Sequence, residues 1–468
     1  MDEGASGQQT GILPSSPDLA PSADLEAWTA RLGVFVTGIV LLRLGFELWW
    51  TGRLHEHTWV QAGIVLVYAL GIMLLALAFL RIDHAQLDRW GLAALVVTLE
   101  FYVIVTLLVV TRHYTSDALL FVHEAAAQFI AGNNPYTLDL VGGYEAFQVP
   151  YYVQTPTSSG GIITNLNYPA LSFLIYAPFV ALGLEDMRIV SMGFLLSLVA
   201  LTYRAVPRHL RLLSVSVLFL SSFFLSFSLS GFDIVFVFFL AAACVLWNTD
   251  RRAAWFFYGL SAAVKQTVWF IGPFLLVLQW KSGPDDRSRD AKIQGLVEGL
   301  GWAGLAFVVP NLWFILQDPV AWFTGVLTPF GLLGDSLVPL AQGLTVPIYA
   351  GTVHVDPWLL RFLAGSALIG LLILYWTSFE TMRDIAWFVP PLVLAFAERS
   401  LQNYFEMFYP IALLVLVRSG LYGSSSGTEP EDQPEGPPAP SSDGPENPVG
   451  GRSGGPVGET PAPAEGDP

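Results

Sequence analysis

The chain contains repeated apolar runs that are long enough to cross a lipid bilayer. Three of them open the body of the sequence, at about residues 29–50, 59–81 and 90–112, and short connections separate them. A membrane-spanning helix needs about 20 consecutive apolar residues. Of the 468 residues, 53% are apolar and only 13% are charged, so the same pattern extends through most of the chain. The sequence therefore predicts an all-α polytopic membrane protein.

The net charge of −16 is concentrated at the two ends of the chain. Residues 1–30 carry five acids and no Lys or Arg, and residues 419–468 carry nine acids against Arg452. Both ends are rich in Pro, Gly and Ser, a composition that buries too little apolar area to fold. We predict disordered cytoplasmic tails at 1–28 and 419–468 around a transmembrane domain at 29–418. On composition alone, such acidic tails also fit a cell with a salty interior, such as a haloarchaeon.

Two long loops lack positive charge. Residues 113–168 contain no Lys or Arg but include six of the sixteen tyrosines, and residues 317–356 also contain no Lys or Arg. Loops that stay in the cytoplasm are enriched in these two cations, so loops without them belong on the other side of the membrane. We therefore assign 113–185, with juxtamembrane helices, and 317–356 to the external face.

Short apolar segments complicate the count of membrane spans. The segment Pro169–Leu184 has sixteen residues and contains Pro178, so we interpret it as a half-inserted juxtamembrane helix. The arms 253–264 and 266–280 flank Lys265 and predict a broken helix pair. Further helices are expected near 186–206, 212–230, 232–247, 294–316, 357–377, 384–398 and 404–418. The total is about twelve spans, within about ten to thirteen, with both termini cytoplasmic in a cell (plasma) membrane.

The stretch Ser116–Thr137 carries the most informative polar pattern. Asp117, Glu124 and Gln128 share one stripe of a helical wheel, which predicts a short helix that forms the lid or floor of a site. A partly desolvated carboxylate such as that of Asp117 can accept a proton from a bound hydroxyl. The alternative is structural, because Ser116 or Asp117 can simply cap the helix.

Several cations can meet an anionic ligand at the same face. Lys265 is one of three lysines and lies between apolar runs, so it needs a partner or an anion such as phosphate. It can also extend to the interface without a ligand. Arg112, His113, Arg361 and Arg399 fall at outer helix ends in this topology, where they can join Lys265 or bind lipid head groups.

The remaining acids and motifs narrow the chemistry. Asp233 and Glu406 lie at membrane depth and either contribute to a site or pair with a nearby cation. The single cysteine, Cys244, excludes a disulfide within one chain. Neither a phosphate-binding glycine loop nor an HExxH or CxxC motif occurs in the sequence, so cytosolic nucleotide chemistry and metalloprotease chemistry have no support. We expect no metal site, no cofactor and no nucleic-acid partner.

Four of these features occur together in a known family. An Asp opens the first external loop at Asp117, an alanine-rich helix ends in Gly-x-x-Pro-Tyr at Tyr136, a Tyr-Pro element begins at Tyr168, and Lys265 follows a small-residue helix. Over about residues 90–418 the chain resembles the glycosyltransferase C superfamily, specifically the polyprenol-phosphate-mannose-dependent mannosyltransferases of family 87. It departs from their pattern at Gly231-Phe232-Asp233, at Ala170 and at Asn403-Tyr404.

The resemblance implies a membrane glycosyltransferase that moves a hexose, with mannose as the expected sugar, from a polyprenyl-phosphate donor to a glycan or glycolipid acceptor. The transfer inverts the anomeric carbon, and Asp117 acts as the base. The expected ligands of the donor phosphate are Lys265, Arg112, His113 and Arg361. The expected acceptor-binding or sugar-binding residues are Glu124, Tyr136, Tyr168, Asp233 and Glu406. Membrane lipids are the other expected partners.

Two other functions remain open from the sequence. The chain can be a polytopic transporter or lipid flippase for cell-surface precursors, although its polar residues gather at one face and its hydropathy shows no internal repeat. It can also be a non-catalytic scaffold whose external loops bind partners.

Overall fold

The computed structural model describes residues 23–50, 57–80, 84–110, 114–157, 159–282, 288–332, 338, 340–341, 346–397 and 399–422. Most of both predicted tails, together with Arg112 and His113, lies outside these residues. Most of the described chain is helical, and its extended structure consists of an isolated bridge and one parallel pair of two-residue strands, β1 (Leu340–Ala341) and β2 (Arg399–Ser400).

The described residues form twenty α-helices. The first ten are α1 (Ala23–Trp50), α2 (Thr58–Leu77), α3 (His84–Val105), α4 (Asp117–Ile130), α5 (Gly142–Ala146), α6 (Leu171–Leu174), α7 (Ala177–Ala181), α8 (Arg188–Ala205), α9 (Arg211–Leu218) and α10 (Ser222–Ser230). The next ten are α11 (Asp233–Leu246), α12 (Arg251–Val264), α13 (Gly272–Lys281), α14 (Arg289–Gln317), α15 (Pro319–Leu327), α16 (Val346–Tyr349), α17 (Pro357–Thr377), α18 (Phe379–Met382), α19 (Asn403–Glu406) and α20 (Tyr409–Tyr422).

Six of the described helices are long and apolar enough to cross a membrane. They are Leu25–Trp50 of α1, α2, Gln86–Val110 of α3 with the π-helical turn that follows it, α8, α14 and α17. A seventh crossing is added if Arg208–Leu218 and Ser222–Ser230, which meet at 70°, count as one span. The membrane class predicted from the sequence agrees with these helices, and the total of about twelve spans stays a prediction.

Large apolar side chains cover the outer surface of these long helices. On α17, Trp358, Phe362 and Ile369 are each more than 60% exposed, and Val65 and Ile72 of α2 are equally open. Soluble proteins rarely expose contiguous apolar patches of this kind. Helix faces of this composition are typical of contact with lipid acyl chains.

Several predicted helices have different boundaries in the structure. Helix α1 begins at Ala23, inside the segment predicted as a disordered tail. The helix expected over 384–398 is instead two 3₁₀ segments, Arg383–Trp387 and Pro390–Phe396, because two adjacent prolines cannot donate the backbone hydrogen bonds of an α-helix. The juxtamembrane segment Pro169–Leu184 forms only the short helices α6 and α7.

Helix α4 lies deeper in the protein than its predicted role as a lid or floor implies. Its residues Leu119–Val122 are buried, as are His123, Ala125 and Ala126, so the helix packs within the core on most of its circumference. The first turn with Asp117 and Ala118, the position of Glu124, and the last turn, which includes Gln128, remain more open. The amphipathic wheel therefore identified the stripe correctly but underestimated the burial of the rest.

The break predicted at Lys265 is confirmed. Helix α12 ends at Val264, Lys265 is extended, and a 3₁₀ turn over Gln266–Ile271 leads into α13. Helix α11 packs against α12, and the two run antiparallel, because the end of α11 at Trp247 contacts the start of α12 at Arg251. The start of α11, at Asp233, consequently lies beside the end of α12.

The close packing of α12 on α14 predicts an intolerance at Gly259. A Cβ there would lie 2.3 Å from the backbone oxygen of Ala303, whereas a Cβ at Gly304 of the same α14 would meet nothing within 4 Å. We expect Gly259→Ala to cost about 1–3 kcal/mol of stability, because the helices must separate. Gly304→Ala should be neutral or slightly stabilising because Ala favours helix.

Thermal unfolding of the purified variants in detergent, followed by circular dichroism, measures this difference. Equal melting temperatures for Gly259→Ala and Gly304→Ala would contradict the close approach of the two helices.

Candidate functional site

A cavity of about 570 Å³ lies at the start of α4 and is lined by residues from several distant parts of the chain. Four of the predicted site residues line it: Asp117, Tyr168, Lys265 and Arg361. The other walls come from the α12–α13 junction, the segment after α15, α17 and the segment around β2. We call this space the Asp117 cavity.

Asp117 is the first residue of α4, but it is not the helix cap. Ser116 fills that position, because its hydroxyl accepts a hydrogen bond from the backbone N–H of Ala118 at 3.0 Å. Ser116, and not Asp117, therefore has the capping role that was the structural alternative for Asp117. The Oδ2 atom of Asp117 accepts a hydrogen bond from the backbone N–H of Thr155 at 2.9 Å.

A small hairpin holds Thr155 in place. The N–H of Ile163 donates to the carbonyl of Thr155 at 2.9 Å, and the N–H of Thr157 donates to the carbonyl of Gly161 at 2.9 Å. Gly160 closes the turn with a φ of +90°, a conformation that favours glycine. The hairpin therefore holds Thr155, and with it the hydrogen bond to Asp117, in a defined position, although this segment is part of a loop.

The charge state of Asp117 reflects opposing influences. Burial raises the pKa of its carboxyl above the ordinary value, while hydrogen bonds from Thr155 and the positive charge of Arg399 lower it. Burial is the largest effect, so the net direction is upward. A carboxylate with a raised pKa is a stronger proton acceptor than an ordinary Asp, which suits a general base.

Arg399 is the residue whose positive charge lowers the pKa of Asp117. Its Nη2 atom donates to the hydroxyl of Thr155 at 3.1 Å, so Thr155 is bound to both charged groups. Its buried Nη1 atom has no hydrogen-bond partner among the residues that the structure describes. A guanidinium with a spare buried N–H at a cavity wall is suited to bind an anion.

Lys265 is buried and paired. Its side chain contacts Oδ1 of Asp233, and the two residues are only 5% and 3% exposed. Oδ2 of Asp233 accepts a hydrogen bond from Nδ2 of Asn403 at 2.7 Å. The structure thus selects the pairing alternative for Asp233 and excludes the interfacial alternative for Lys265, because the ammonium meets a carboxylate within the protein.

Aromatic rings enclose the same ammonium. The Nζ atom of Lys265 lies 5.4 Å from the ring centre of Phe232, 5.5 Å from Tyr404, 5.9 Å from Tyr168 and 6.0 Å from Phe236. Distances of this size allow a favourable interaction between a cation and the face of a ring. Tyr168 and Tyr404 also line the cavity, so the buried pair fixes part of its wall.

Arg361 occupies one end of an otherwise apolar wall. Arg361, Ala364, Gly365 and Leu368 lie on one face of α17 and line the cavity over about 10 Å. The guanidinium packs on Gly331, where an added Cβ would lie 2.3 Å from Nη2 and where φ is +61°. The cavity therefore combines a cationic end with an apolar wall.

Two further buried polar atoms at the wall have no partner among the described residues. They are Oδ1 of Asn167 and the hydroxyl of Thr267, in residues that are 7% and 8% exposed. Between them, Nε2 of Gln266 donates to the carbonyls of Asn167 at 2.7 Å and Val326 at 2.9 Å. Buried polar groups are rarely left unsatisfied, so these two atoms indicate hydrogen bonds to a bound ligand or water.

Four of the predicted site residues that the structure describes do not line the Asp117 cavity: Asp233, which instead pairs with Lys265, and Glu124, Tyr136 and Glu406. Glu124 accepts a hydrogen bond from Gln128 at 2.8 Å on the more open stripe of α4. The buried hydroxyl of Tyr136 donates to the carbonyl of Tyr168 at 2.7 Å, so this residue supports the wall without forming it. Glu406 accepts a hydrogen bond from Ser221 at 3.1 Å beside a separate surface depression.

Arg112 and His113 fall outside the described residues, so their predicted roles have no structural counterpart here. Other residues of the cavity were missed as site residues: Thr155, Asn167, Thr267 and Asn403. Arg399 had been recognised as an outer cation without a specific role. A polar residue directly before Tyr168 was a possible signal for Asn167, whereas Thr155 reaches the site only through the hairpin.

Comparison of the chain with protein-family models, with curated protein sequences and with solved structures finds no match. The contacts within the Asp117 cavity are therefore the basis for assigning a function.

The buried pair predicts a strong dependence of stability on both partners. We expect Asp233→Asn to lose about 3–5 kcal/mol, because the Lys265 ammonium is then left buried without a counter-charge. The double variant Asp233→Asn with Lys265→Met should recover much of this loss, because no unpaired charge remains. Chemical unfolding in detergent, followed by circular dichroism, provides the measurement.

The exposed pair Arg252–Glu298 offers a matched control, since its side chains are 68% and 41% exposed. Arg252→Gln should cost about 0–1 kcal/mol. A loss for Asp233→Asn as small as that for Arg252→Gln would show that the buried charge is compensated elsewhere.

Proposed function

We propose that this protein is a membrane glycosyltransferase that moves a hexose from a polyprenyl-phosphate donor to a glycan or glycolipid acceptor, with mannose as the expected sugar. One observation carries the proposal. A carboxylate with a raised pKa, Asp117, shares one cavity with two guanidinium groups, Arg361 and Arg399, and with an apolar wall. A base, a phosphate site and a lipid surface are the three elements that such a transfer needs.

The polyprenyl chain of the donor suits the apolar wall of the cavity, and its phosphate suits the cationic part. The face of α17 below Arg361, together with Trp269, Phe270 and Leu327, offers an apolar surface for the start of a polyprenyl chain. The donor phosphate is placed between Arg361 and Arg399, because a guanidinium binds phosphate oxygens through paired hydrogen bonds. The sugar then lies next to Asp117, where Tyr168 and Asn167 can form hydrogen bonds with its hydroxyl groups.

The reaction we propose is a single inverting displacement. The Asp117 carboxylate accepts the proton of the acceptor hydroxyl as that oxygen forms a bond to the anomeric carbon of the sugar. The bond from the anomeric carbon to the phosphate oxygen breaks, and its electron pair leaves with the lipid phosphate. The negative carboxylate also favours the oxocarbenium-like transition state, and the guanidinium groups stabilise the charge that develops on the phosphate.

We propose a role for Lys265 that differs from the binding of the donor phosphate expected from the sequence. Because Asp233 already balances its charge, it is less suited than Arg361 or Arg399 to neutralise a donor phosphate. We assign it the role of holding the cavity wall through Asp233, Asn403 and the rings of Tyr168 and Tyr404.

The topology that we propose for this activity is the one derived from charge. The Asp117 cavity faces the exterior, and the connections that carry Arg251, Lys281 and Arg289 face the cytoplasm, as the distribution of cations favours. About twelve spans then cross the plasma membrane, and both termini are cytoplasmic. A transporter or lipid flippase is the alternative function, and it predicts movement of a lipid-linked sugar without its transfer.

The first functional prediction concerns the base. Asp117→Asn should lower transfer from a polyprenyl-phosphate hexose about 10²- to 10⁴-fold, because the amide cannot accept the acceptor proton. Reconstituted protein, a radiolabelled lipid-linked hexose and a chromatographic assay of the glycosylated acceptor provide the measurement. Glu145→Gln is the matched control, because Glu145 is an exposed acid of the same loop and lies outside the cavity.

Undiminished transfer by Asp117→Asn would overturn the assignment of the base. Absence of transfer by the wild type, together with protein-dependent movement of the lipid-linked sugar across vesicles, would instead favour the transporter.

The second functional prediction concerns pH. Transfer should fall as the pH drops through the pKa of Asp117, because protonation removes the base, and burial places this limb above the range of an ordinary Asp. Arg399 lowers that pKa, so Arg399→Gln should move the limb to higher pH. Arg361→Gln should weaken donor binding without moving the limb.

The pH dependence of kcat/KM for the three proteins tests this prediction. Identical acid limbs in the wild type and Arg399→Gln would contradict the coupling between Arg399 and Asp117.

A further inference from the structure

Two adjacent tyrosines, Tyr151 and Tyr152, are exposed on the surface of the loop that carries Thr155. They are 84% and 73% exposed, and their rings meet edge to face, with centroids 5.9 Å apart and planes at 82°. Among the described residues from 142 to 178, they are the only exposed large hydrophobic side chains. The two perpendicular rings form an open corner, and we call them the tyrosine pair.

Backbone hydrogen bonds hold the turn that carries the tyrosine pair. At the end of α5, the N–H of Gln148 donates to the carbonyl of Glu145 at 3.2 Å. Gln148 has a φ of +51°, the left-handed conformation that glycine usually supplies at the end of a helix. The N–H of Val153 donates to the carbonyl of Pro150 at 3.1 Å and closes a 3₁₀ turn over Tyr151–Val153. The rings therefore project from a defined backbone, which lowers the entropic cost of binding.

The same segment leads directly to the proposed base. Thr155 follows Tyr152 by three residues, so their Cα atoms are at most about 11 Å apart. The N–H of Thr155 donates to Oδ2 of Asp117 at 2.9 Å, and Thr155 lines the Asp117 cavity. An elongated ligand with one end at Asp117 can therefore extend to the tyrosine pair.

The surroundings of the tyrosine pair are polar and carry no Lys or Arg. Residues 113–168 contain four acids, of which Glu145 is exposed, and the exposed polar residues Gln148 and Ser159 lie on either side of the pair in the sequence. Segments that insert into a membrane surface combine aromatic rings with aliphatic side chains and with Lys or Arg. Here the nearby aliphatic residue Val149 is buried. This composition favours a neutral, hydrated ligand that has an apolar face.

We propose that the tyrosine pair binds a sugar unit of a neutral oligosaccharide acceptor, next to or beyond the unit whose hydroxyl Asp117 deprotonates. One face of a hexose ring consists of C–H groups and can stack on an aromatic ring, and the phenol hydroxyls can form hydrogen bonds with the sugar hydroxyls. The identification of the ligand as the acceptor rests on the proposed sugar transfer, whereas saccharide binding can be measured without it. The acceptor class is an oligosaccharide of at least two units.

Binding is tested with the full-length protein in a detergent that has no sugar head group. Saturation-transfer NMR measures the affinities of two neutral probes, mannotriose and maltotriose. Tyr151→Ala and Tyr152→Ala each remove a ring, and Tyr151→Phe and Tyr152→Phe keep the ring without its hydroxyl. Phe179→Ala is the matched control, because it removes an exposed ring of α7 in the same predicted external loop. Circular dichroism shows whether each variant is folded.

We expect the wild type to bind at least one of the two trisaccharides. Tyr151→Ala and Tyr152→Ala should each weaken this binding about tenfold, because the stacked area is lost. The two Phe variants should stay within about threefold of the wild type, and Phe179→Ala should bind as the wild type does. Absence of binding for both trisaccharides, or equal affinity in the Ala variants and the wild type, would overturn the proposal.

Contact with the membrane surface is the alternative, since tyrosines are enriched there. Protein that carries fluorinated tyrosine is placed in lipid discs, and the fluorine resonances of the pair are identified by their loss in Tyr151→Phe and Tyr152→Phe. We expect the bound trisaccharide to shift these resonances and a lipid spin-labelled at its head group to leave them sharp. Broadening by the spin label would show that the pair contacts the membrane, which would overturn the proposal.

Kinetics separate failure of this site from failure of the proposed transfer. With an octyl mannotrioside as acceptor, Tyr151→Ala should raise the KM for the acceptor about tenfold and leave the KM for the lipid-linked donor unchanged. Transfer with an unchanged acceptor KM would overturn the role of the tyrosine pair and leave the proposed function intact. Absence of transfer by the wild type, together with trisaccharide binding that depends on the pair, would support the saccharide site and contradict the proposed function.

Discussion

The contact between Lys265 and Asp233 is the interaction on which the arrangement around the Asp117 cavity depends. It joins the end of α12 to the start of α11, and Asn403 extends it to α19. A buried ion pair is retained only where further hydrogen bonds and close geometry offset the loss of hydration. Here the offset comes from the Asn403 amide and from four aromatic rings around the ammonium. Distant segments are thereby held at one place.

The charged residues around the cavity fall into two groups. One pair, Lys265 and Asp233, is internally neutral and supports the wall. The other charged groups, Asp117, Arg361 and Arg399, face the space that a ligand can occupy. Thr155 mediates between Asp117 and Arg399, because its N–H meets the carboxylate and its hydroxyl accepts from the guanidinium. The proposed base and the proposed phosphate site can therefore lie close together without neutralising each other in a direct ion pair.

The short strand pair shows how loops far apart in sequence contribute to the same region. Strand β1, from the second loop predicted to be external, pairs with β2, which contains Arg399. The N–H of Val338 donates to the carbonyl of Pro156 at 3.1 Å, so the second loop also contacts the hairpin that positions Thr155. Neither contact follows a hydropathy pattern, since both consist of backbone hydrogen bonds between polar or mixed segments. The roles of Arg399 and Thr155 could not be predicted for this reason.

The sequence by itself determined the helical class with apolar runs of membrane-spanning length, the break at Lys265 and the position of Asp117 at the head of a loop without cations. These features follow from local properties: the length of apolar runs, the spacing of polar residues and the distribution of charge. Only the tertiary structure decided that Asp233 neutralises Lys265, that Ser116 and not Asp117 caps α4, and that Glu124 and Glu406 lie away from the cavity. The physical reason is that these outcomes depend on which distant groups meet when helices pack, and helical periodicity carries no information about the partner.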